Sequence, residues 1–166
     1  WRHPRLAPLT FFARALLKDD VAFRTPPRYV RHDYHRPTSA FVTFCCKDRL
    51  PWFRHPVNAR GAVAAIREEH LRQTFWLYAY CVMPDHIHLF IRTRGRHLSQ
   101  IVAMIKVGIR RRVPGLQSQR GYFDRVVRPY VPPGLVVRYL LGNPVRAGLV
   151  KDPGEYPYMG VVDSYL

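Results

Sequence analysis

Acidic side chains are scarce in this sequence. Its 166 residues include 11 aspartates and glutamates but 27 lysines and arginines, so the formal net charge is +16. This excess goes beyond what solubility requires, and it predicts a polyanionic partner. The segment 92–128 contains ten of the basic side chains and a single acid, Asp124. Because these charges are interleaved with loops and follow no long amphipathic face, nucleic acid is a better candidate than a membrane surface.

Cysteines are few as well. The three that occur, Cys45, Cys46 and Cys81, have no CxxC spacing, which excludes a zinc ribbon or a disulfide-exchange motif. They lie in apolar segments, so we expect core thiols in a reducing cytoplasm. The sequence also lacks an apolar run of the roughly 20 residues that cross a bilayer. We therefore expect a cytoplasmic, nucleoid-associated protein with no membrane partner.

A single folded domain is expected after an N-terminal extension. Residues 9–19 lack the apolar core and small-residue cleavage site of a signal peptide. The segment 26–37 is bounded by prolines and rich in charge, which is typical of a loop. Apolar residues make up 48% of the chain, enough for one hydrophobic core. The expected division is an extension over residues 1–27 and one domain over residues 28–166.

Hydrophobic periodicity predicts four strands and three helices. The strands are expected at residues 40–46, 75–82, 86–93 and 121–128, and the helices at residues 58–73, 98–112 and 134–142. Met83-Pro84-Asp85 supplies turn chemistry for a hairpin between the second and third strands. The order β-α-β-β-α-β-α predicts an α+β fold of ferredoxin-like type, an antiparallel sheet with helices packed on one face.

The tripeptide His86-Ile87-His88 lies in the third predicted strand. Side chains alternate along a strand, so the two imidazoles point to one side and Ile87 points into the core. Two imidazoles about 7 Å apart along one face can share a metal ion. In an arbitrary protein such a pair is more often two surface or hydrogen-bonded histidines, so the tripeptide alone does not establish a metal site.

Longer motifs around the histidines carry a family resemblance. The run 80–91 (YCVMPDHIHLFI) resembles the His-hydrophobic-His segment of the HUH-type tyrosine transposases. The segments 121–125 (GYFDR) and 139–150 (YLLGNPVRAGLV) resemble two further signatures of that family, in order and at suitable spacing. The segment 33–44, from Asp-Tyr to FVTF, resembles its first strand. The resemblance covers most of the chain and is closest to the REP-associated (insertion sequence 200-like) branch, whose members are thought to act on repeated palindromic elements.

That resemblance implies a mechanism and a set of site residues. The last predicted helix would place Tyr139 and Asn143 on one face, one turn apart, with Pro144 ending the helix. Tyr139 would be the nucleophile that attacks a DNA phosphorus, leaving a 5′-phosphotyrosine and a free 3′-hydroxyl. The metal ligands would be His86, His88 and Asn143. With waters, this donor set suits Mg²⁺ or Mn²⁺ better than a structural zinc ion.

The implied function is a metal-dependent single-stranded DNA transposase or endonuclease that cleaves and rejoins DNA, with hairpin-forming repeats as targets. Its partner would be single-stranded or hairpin DNA, and the family contains both monomers and homodimers. Basic residues expected to hold the DNA are Lys106, Arg110, Arg111, Arg112, Arg125 and Arg128. Arg128 and Arg138 are close enough in sequence to Tyr139 to supply positive charge for its attack.

Several alternatives stay open at the level of sequence. Tyr122 and Tyr130 are rival nucleophiles. A noncatalytic nucleic-acid-binding protein, such as a degenerate transposase copy, would need only charge and aromatic residues, and a metal-dependent hydrolase would release free ends without a covalent intermediate. Two departures from the family pattern bear on this choice. Asp85 stands where asparagine is also common, and residues 117–120 (QSQR) stand where a tryptophan-glutamine pair is usual.

Overall fold

The sheet is built from segments rich in β-branched and aromatic residues. The computed structural model describes residues 36–162, and the expected N-terminal extension, residues 1–27, lies outside the described residues. The strands are β1 Ser39–Cys45, β2 Phe75–Val82, β3 His86–Thr93, β4 Phe123–Val126 and β5 Met159–Val161. They form one antiparallel sheet in the order β4-β1-β3-β2-β5. β3 is therefore the central strand, with β1 and β2 as its neighbours.

Helices begin where the sequence offers first-turn signals. They are α1 Pro56–Leu71, α2 Leu98–Arg112, α3 Pro133–Leu141 and α4 Asn143–Arg146. α1 and α3 start with proline, which lacks the N–H that a first turn leaves unsatisfied. α2 starts at a capping box, in which the His97 ring accepts the amide of Ser99 and the Gln100 side chain accepts the amide of His97.

The two faces of the sheet are covered by different helices. On one face Ile87 and Leu89 belong to a buried cluster with Ile66 of α1 and Ile105 of α2. On the other face a second cluster joins the sheet to α3, with members Phe41, Tyr78, Phe90, Val136, Val137 and Leu140. Side chains alternate along β3, so His86 and His88, which flank Ile87, point to the opposite face, toward α3. The histidines therefore share their face of the sheet with α3, which we call the α3 face.

The α+β class with an antiparallel sheet is confirmed. One detail was wrong: helices cover both faces, because the apolar stripe of α3 packs on the face opposite α1 and α2. β5 was not predicted, since three residues are too short for a periodicity signal. Pro144 was expected to end a helix, but it lies in the first turn of α4 after a junction at Gly142. A proline is compatible with that turn because its nitrogen has no hydrogen-bond partner to lose.

Two expectations drawn from absences can be compared with the described residues. The three cysteines are buried free thiols, as expected. Within residues 36–162, none of the helices has the length and apolar character that crossing a membrane requires.

Candidate active site

Two imidazoles meet at the start of β3. The Nε2 atoms of His86 and His88 are 3.0 Å apart, and their ring planes are nearly perpendicular, at 83°. Both rings lie on one side of the strand, as its two-residue period requires. The ring centroids are 4.6 Å apart, closer than the strand rise alone suggests, because the side chains lean toward each other. The expected same-face pair is therefore present in the fold.

The remaining ring nitrogens are held by neighbouring side chains. Nδ1 of His86 is 2.6 Å from Oδ1 of Asp85, and Nδ1 of His88 is 2.8 Å from Oγ1 of Thr43, its partner across the β1–β3 ladder. An ionised carboxylate only accepts, so His86 donates its Nδ1 proton to Asp85. The second carboxylate oxygen pairs with Nε of Arg49 at 2.8 Å. These contacts orient both rings so that the Nε2 atoms face the same point.

The donor set fits a divalent cation. Metal–nitrogen bonds are about 2.1 Å long, so two ligands at right angles are separated by about 3 Å. The observed Nε2 separation of 3.0 Å matches such a pair. Among the described residues, no cluster of three or more His, Cys, Asp or Glu side chains exists that would suit a structural zinc ion. Within residues 36–162, a third protein ligand would therefore come from another type of group, such as a side-chain amide.

Both histidines are held in their neutral form. Burial lowers the pKa of His88 well below its ordinary value, and repulsion from His86 and Arg146 acts in the same direction. Burial also lowers the pKa of His86, while the hydrogen bond and charge of Asp85 oppose that shift. Neutral imidazole is the form that binds a metal. At neutral pH each ring therefore has one unprotonated nitrogen, and neither imidazole has to lose a charge before a metal ion binds.

Tyr139 lies on α3 beside this pair. The ring of Phe41 contacts the rings of both His88 and Tyr139, with centroid distances of 5.3 Å and 5.7 Å. The Tyr139 ring is partly exposed and packs against the α3-face cluster. The fold thus brings Tyr139 and the two histidines to the same region of the sheet.

Asn143 was expected on the helix that carries Tyr139, but that helix ends at Leu141 and Asn143 is the first residue of α4. Its Nδ2 donates to the carbonyl of Leu140 at 2.9 Å, and its Oδ1 accepts from Nη2 of Arg146 at 2.9 Å. These two bonds fix which end of the amide is oxygen. The predicted role of Asn143 as a metal ligand stays a prediction, and it requires an oxygen that still has a second lone pair.

The rival tyrosines occupy different surroundings. Tyr122 packs against the cluster on the face covered by α1 and α2, opposite the histidines. Tyr130 is 74% exposed, and its hydroxyl accepts a 3.2 Å bond from Nη1 of Arg128. Of the three tyrosines considered, Tyr139 alone shares a contact residue, Phe41, with His88. The role of Tyr139 as the nucleophile stays a prediction.

The predicted DNA-binding residues divide between the two sides of the sheet. Lys106 is on α2, and its ammonium donates to the carbonyls of Gln119 at 2.7 Å and Gly121 at 2.8 Å. Burial lowers its pKa. Arg112, also on α2, bonds to Glu68 of α1. These contacts give Lys106 and Arg112 partners within the protein, although Arg112 is exposed, as are Arg110 and Arg111.

Arg125 and Arg128 lie on the other side. Arg125 is opposite Phe41 in the β1–β4 ladder, so it points to the α3 face. A groove of about 930 Å³ follows on that face. Residues that contribute to it include Arg36, Trp76, Tyr78, Phe90, Arg92, Arg128 and Val131. Arginines and an indole on one groove suit a single-stranded nucleic acid, which offers phosphates and unpaired bases.

Two residues near the site were missed by the sequence analysis. Arg49 has a positive φ of 56° and follows Asp48, whose φ is 54°. Non-glycine residues in this left-handed region are uncommon and concentrate at functional sites, but no sequence pattern signals them. Arg146 lies in the matched motif 139–150, and its Cζ is 4.2 Å from the centroid of the Tyr139 ring. Its position in that motif was the available signal.

The family follows from comparison with known proteins. The model of the family described as "Transposase IS200 like" matches residues 36–119, half of the chain. The chain belongs to the IS200-like transposase family, a family of DNA-processing enzymes. Among curated proteins, no sequence matches it significantly.

Two solved structures are similar to this chain. A REP-associated tyrosine transposase bound to a REP hairpin superposes with a TM-score of 0.64 at 20% identity, over 80% of this chain and 82% of that chain. A candidate transposase from Deinococcus radiodurans R1 has a TM-score of 0.48 at 19% identity, over 69% of this chain and 94% of that chain. The first of these structures supports the α+β architecture of the chain.

The depressed pKa of His88 predicts a pH-dependent stability. Unfolded His88 titrates near 6.5, whereas the folded state resists protonation, so the unfolded state binds more protons below that pH. Stability should be fully present above about pH 6.5 and fall by about 1 kcal/mol per pH unit below it. Urea unfolding of the wild type and His88→Asn at several pH values measures the effect. The variant should show a shallower loss, and equal slopes in the two proteins would contradict the assignment.

Proposed function

We propose that this transposase is a metal-dependent enzyme that cleaves and rejoins single-stranded DNA through a 5′-phosphotyrosine on Tyr139, at hairpin-forming repeats. The observation that carries the proposal is the convergence of the two Nε2 atoms at 3.0 Å, beside a tyrosine that shares Phe41 with His88. Neutral imidazoles and a phenol in one partly exposed region are the groups that such a transesterification needs.

The chemistry distributes simple roles among these residues. The Tyr139 oxygen forms a bond to phosphorus as the bond from phosphorus to the 3′-oxygen breaks. The phenol proton is released, and the departing 3′-oxygen takes up a proton to become a hydroxyl. A bound Mg²⁺ or Mn²⁺ would polarise the phosphate oxygens, with His86, His88 and Asn143 as the residues to hold it. Rejoining is the reverse reaction, in which a 3′-hydroxyl displaces the tyrosine.

Charge and shape support DNA on the α3 face. Arg125 and the groove bearing Trp76 and Arg128 lie on the same face as the histidines. The guanidinium carbons of Arg92 and Arg94 are 5.7 Å and 5.2 Å from the Trp76 ring centroid, so their charges are held at a fixed place by cation–π contact. The related solved structure contains a REP hairpin, and we propose a hairpin with a single-stranded flank as the partner here.

A noncatalytic DNA-binding protein is the second candidate. It is favoured by the segment 117–120, which departs from the family pattern, and by the occupied Oδ1 of Asn143. Such a protein would bind the same hairpin but would never become attached to it. The covalent intermediate therefore separates the two functions.

Tyr139→Phe should abolish cleavage while preserving folding and DNA binding. The substitution removes the attacking oxygen and keeps the aromatic packing against Phe41. Labelled hairpin DNA with a single-stranded flank is incubated with Mn²⁺ and resolved on a denaturing gel, which displays both the cut strand and the protein-linked strand. Both bands should disappear in the variant.

Tyr122→Phe and Tyr130→Phe are the matched controls. Each loses one hydroxyl of the same kind, and each should retain at least part of the cleavage activity. Loss of the adduct in Tyr130→Phe, with the adduct preserved in Tyr139→Phe, would move the nucleophile to Tyr130.

His86→Ala should abolish metal-dependent cleavage yet leave most of the DNA affinity. One of the two converging lone pairs is lost, whereas phosphate contacts elsewhere supply the binding. The readouts are cleavage with increasing Mn²⁺ and hairpin affinity with and without a chelator; His88→Ala is expected to behave in the same way. Full activity of either variant would remove the histidine pair from the mechanism.

Arg125→Gln and Arg128→Gln should each weaken hairpin binding and lower the dependence of affinity on salt. Each phosphate contact contributes about one unit to the slope of log affinity against log salt. Arg60→Gln, an exposed arginine on α1, is the matched control for loss of a surface charge. Slopes that fall for Arg60→Gln as much as for Arg125→Gln and Arg128→Gln would show that DNA is not held on the α3 face.

A further inference from the structure

Building on the proposed function, we propose that Arg146 is a positioning residue for the nucleophile, which fixes Tyr139 relative to Asn143 and places positive charge beside the attacking ring. Arg146 lies within the motif 139–150, between Asn143 and the end of that motif. The proposed role of Arg146 rests on three contacts of its guanidinium.

The guanidinium joins the two residues with the same nitrogen. Nη2 of Arg146 donates to the backbone carbonyl of Tyr139 at 2.6 Å and to Oδ1 of Asn143 at 2.9 Å. Its Cζ lies 4.2 Å from the centroid of the Tyr139 ring, within cation–π distance. Because both bonds use Nη2, the rest of the planar guanidinium is left to lie over the Tyr139 ring. One side chain thus fixes the helix end, the amide and the aromatic ring.

Gly142 makes room for this arrangement. Its φ of −76° and ψ of −7° are allowed for every residue, so its backbone conformation does not require glycine. A Cβ built at this position would lie 2.7 Å from Nη1 of Arg146, which is too close for a real contact. A glycine at position 142 therefore leaves the space that the guanidinium occupies at the α3–α4 junction.

The arrangement favours attack in two ways. A cation on the ring face stabilises negative charge as it develops on the phenol oxygen. The bonds to Tyr139 and Asn143 also restrict rotation of the ring relative to the junction, and small errors in the placement of a reacting group cost large factors in rate. A purely structural brace would give only the restriction, so the charge effect distinguishes the two roles.

The first experiment measures single-turnover cleavage of the hairpin at saturating DNA. Arg146→Ala should cleave about 100-fold more slowly than wild type, with little change in hairpin affinity or melting temperature. Arg146 is exposed, so free guanidinium ions can enter the vacated place and should restore part of the rate. They should not rescue Tyr139→Phe. Arg60→Ala controls for loss of a surface arginine.

Gly142→Ala keeps the arginine but displaces its guanidinium, and it decides the question if Arg146→Ala does not fold. It should slow cleavage in the same direction, and added guanidinium should not restore the rate because the new methyl group fills the space. Arg146→Lys should recover less activity than guanidinium does, since a lysine ammonium that makes the two hydrogen bonds has no second group to place over the ring.

A second readout needs neither DNA nor metal. N-Acetylimidazole acetylates ionised phenols, so acetylation of Tyr139 followed by mass spectrometry should be about threefold slower in Arg146→Ala. Tyr130 in the same digest is the internal reference. If the wild type cleaves the hairpin, and Arg146→Ala has the same rates of cleavage and acetylation as the wild type, this inference is overturned and the proposed function is left intact. If cleavage by Arg146→Ala is slower, is not restored by guanidinium and is accompanied by unchanged acetylation of Tyr139, then Arg146 has only a structural role. That result would also overturn the inference. Absence of any adduct in the wild type would instead overturn the proposed function.

Discussion

The site depends on the two-residue period of the central strand. Along β3 that period sends Ile87 and Leu89 into the core under α1 and α2, and it sends His86 and His88 to the α3 face. A shift of one residue in the β1–β3 register would reverse both sets, turning the imidazoles toward α1 and α2 and the apolar residues toward the α3 face. The hydrophobic core and the candidate metal site are therefore specified by the same pairing, and neither can move without the other.

Hydrogen bonds from polar neighbours orient the two imidazole rings toward a common point. Asp85 and Thr43 hold the outer ring nitrogens, and Arg49 holds Asp85. An asparagine at position 85 could also accept a hydrogen bond from His86, but it would carry no charge to pair with Arg49. The aspartate in this chain is thus integrated in the site through an ion pair, and its departure from the family pattern is compatible with an intact donor arrangement.

Much of the fold and part of the site could be predicted from the sequence. Alternation placed the histidines on one face, and the helix of Tyr139 was found within one residue at each end. The roles of Lys106 and Arg112 could not be read from charge alone, because both are committed to partners that are distant in sequence, the 119–121 carbonyls and Glu68. The contacts of Arg146 with Tyr139 and Asn143 were missed because they depend on a path over Gly142 that no periodicity encodes.

The central claim is that Tyr139 becomes covalently linked to DNA under the control of the histidine pair. The most direct measurement is tandem mass spectrometry of the adduct, formed on hairpin DNA with Mn²⁺, digested with nuclease and protease. The account predicts a 5′-phosphorylated nucleotide on the peptide that contains Tyr139, at that residue. A nucleotide on Tyr122 or Tyr130 would contradict it, and so would efficient strand cleavage that leaves no modified peptide, since that outcome belongs to hydrolysis by water.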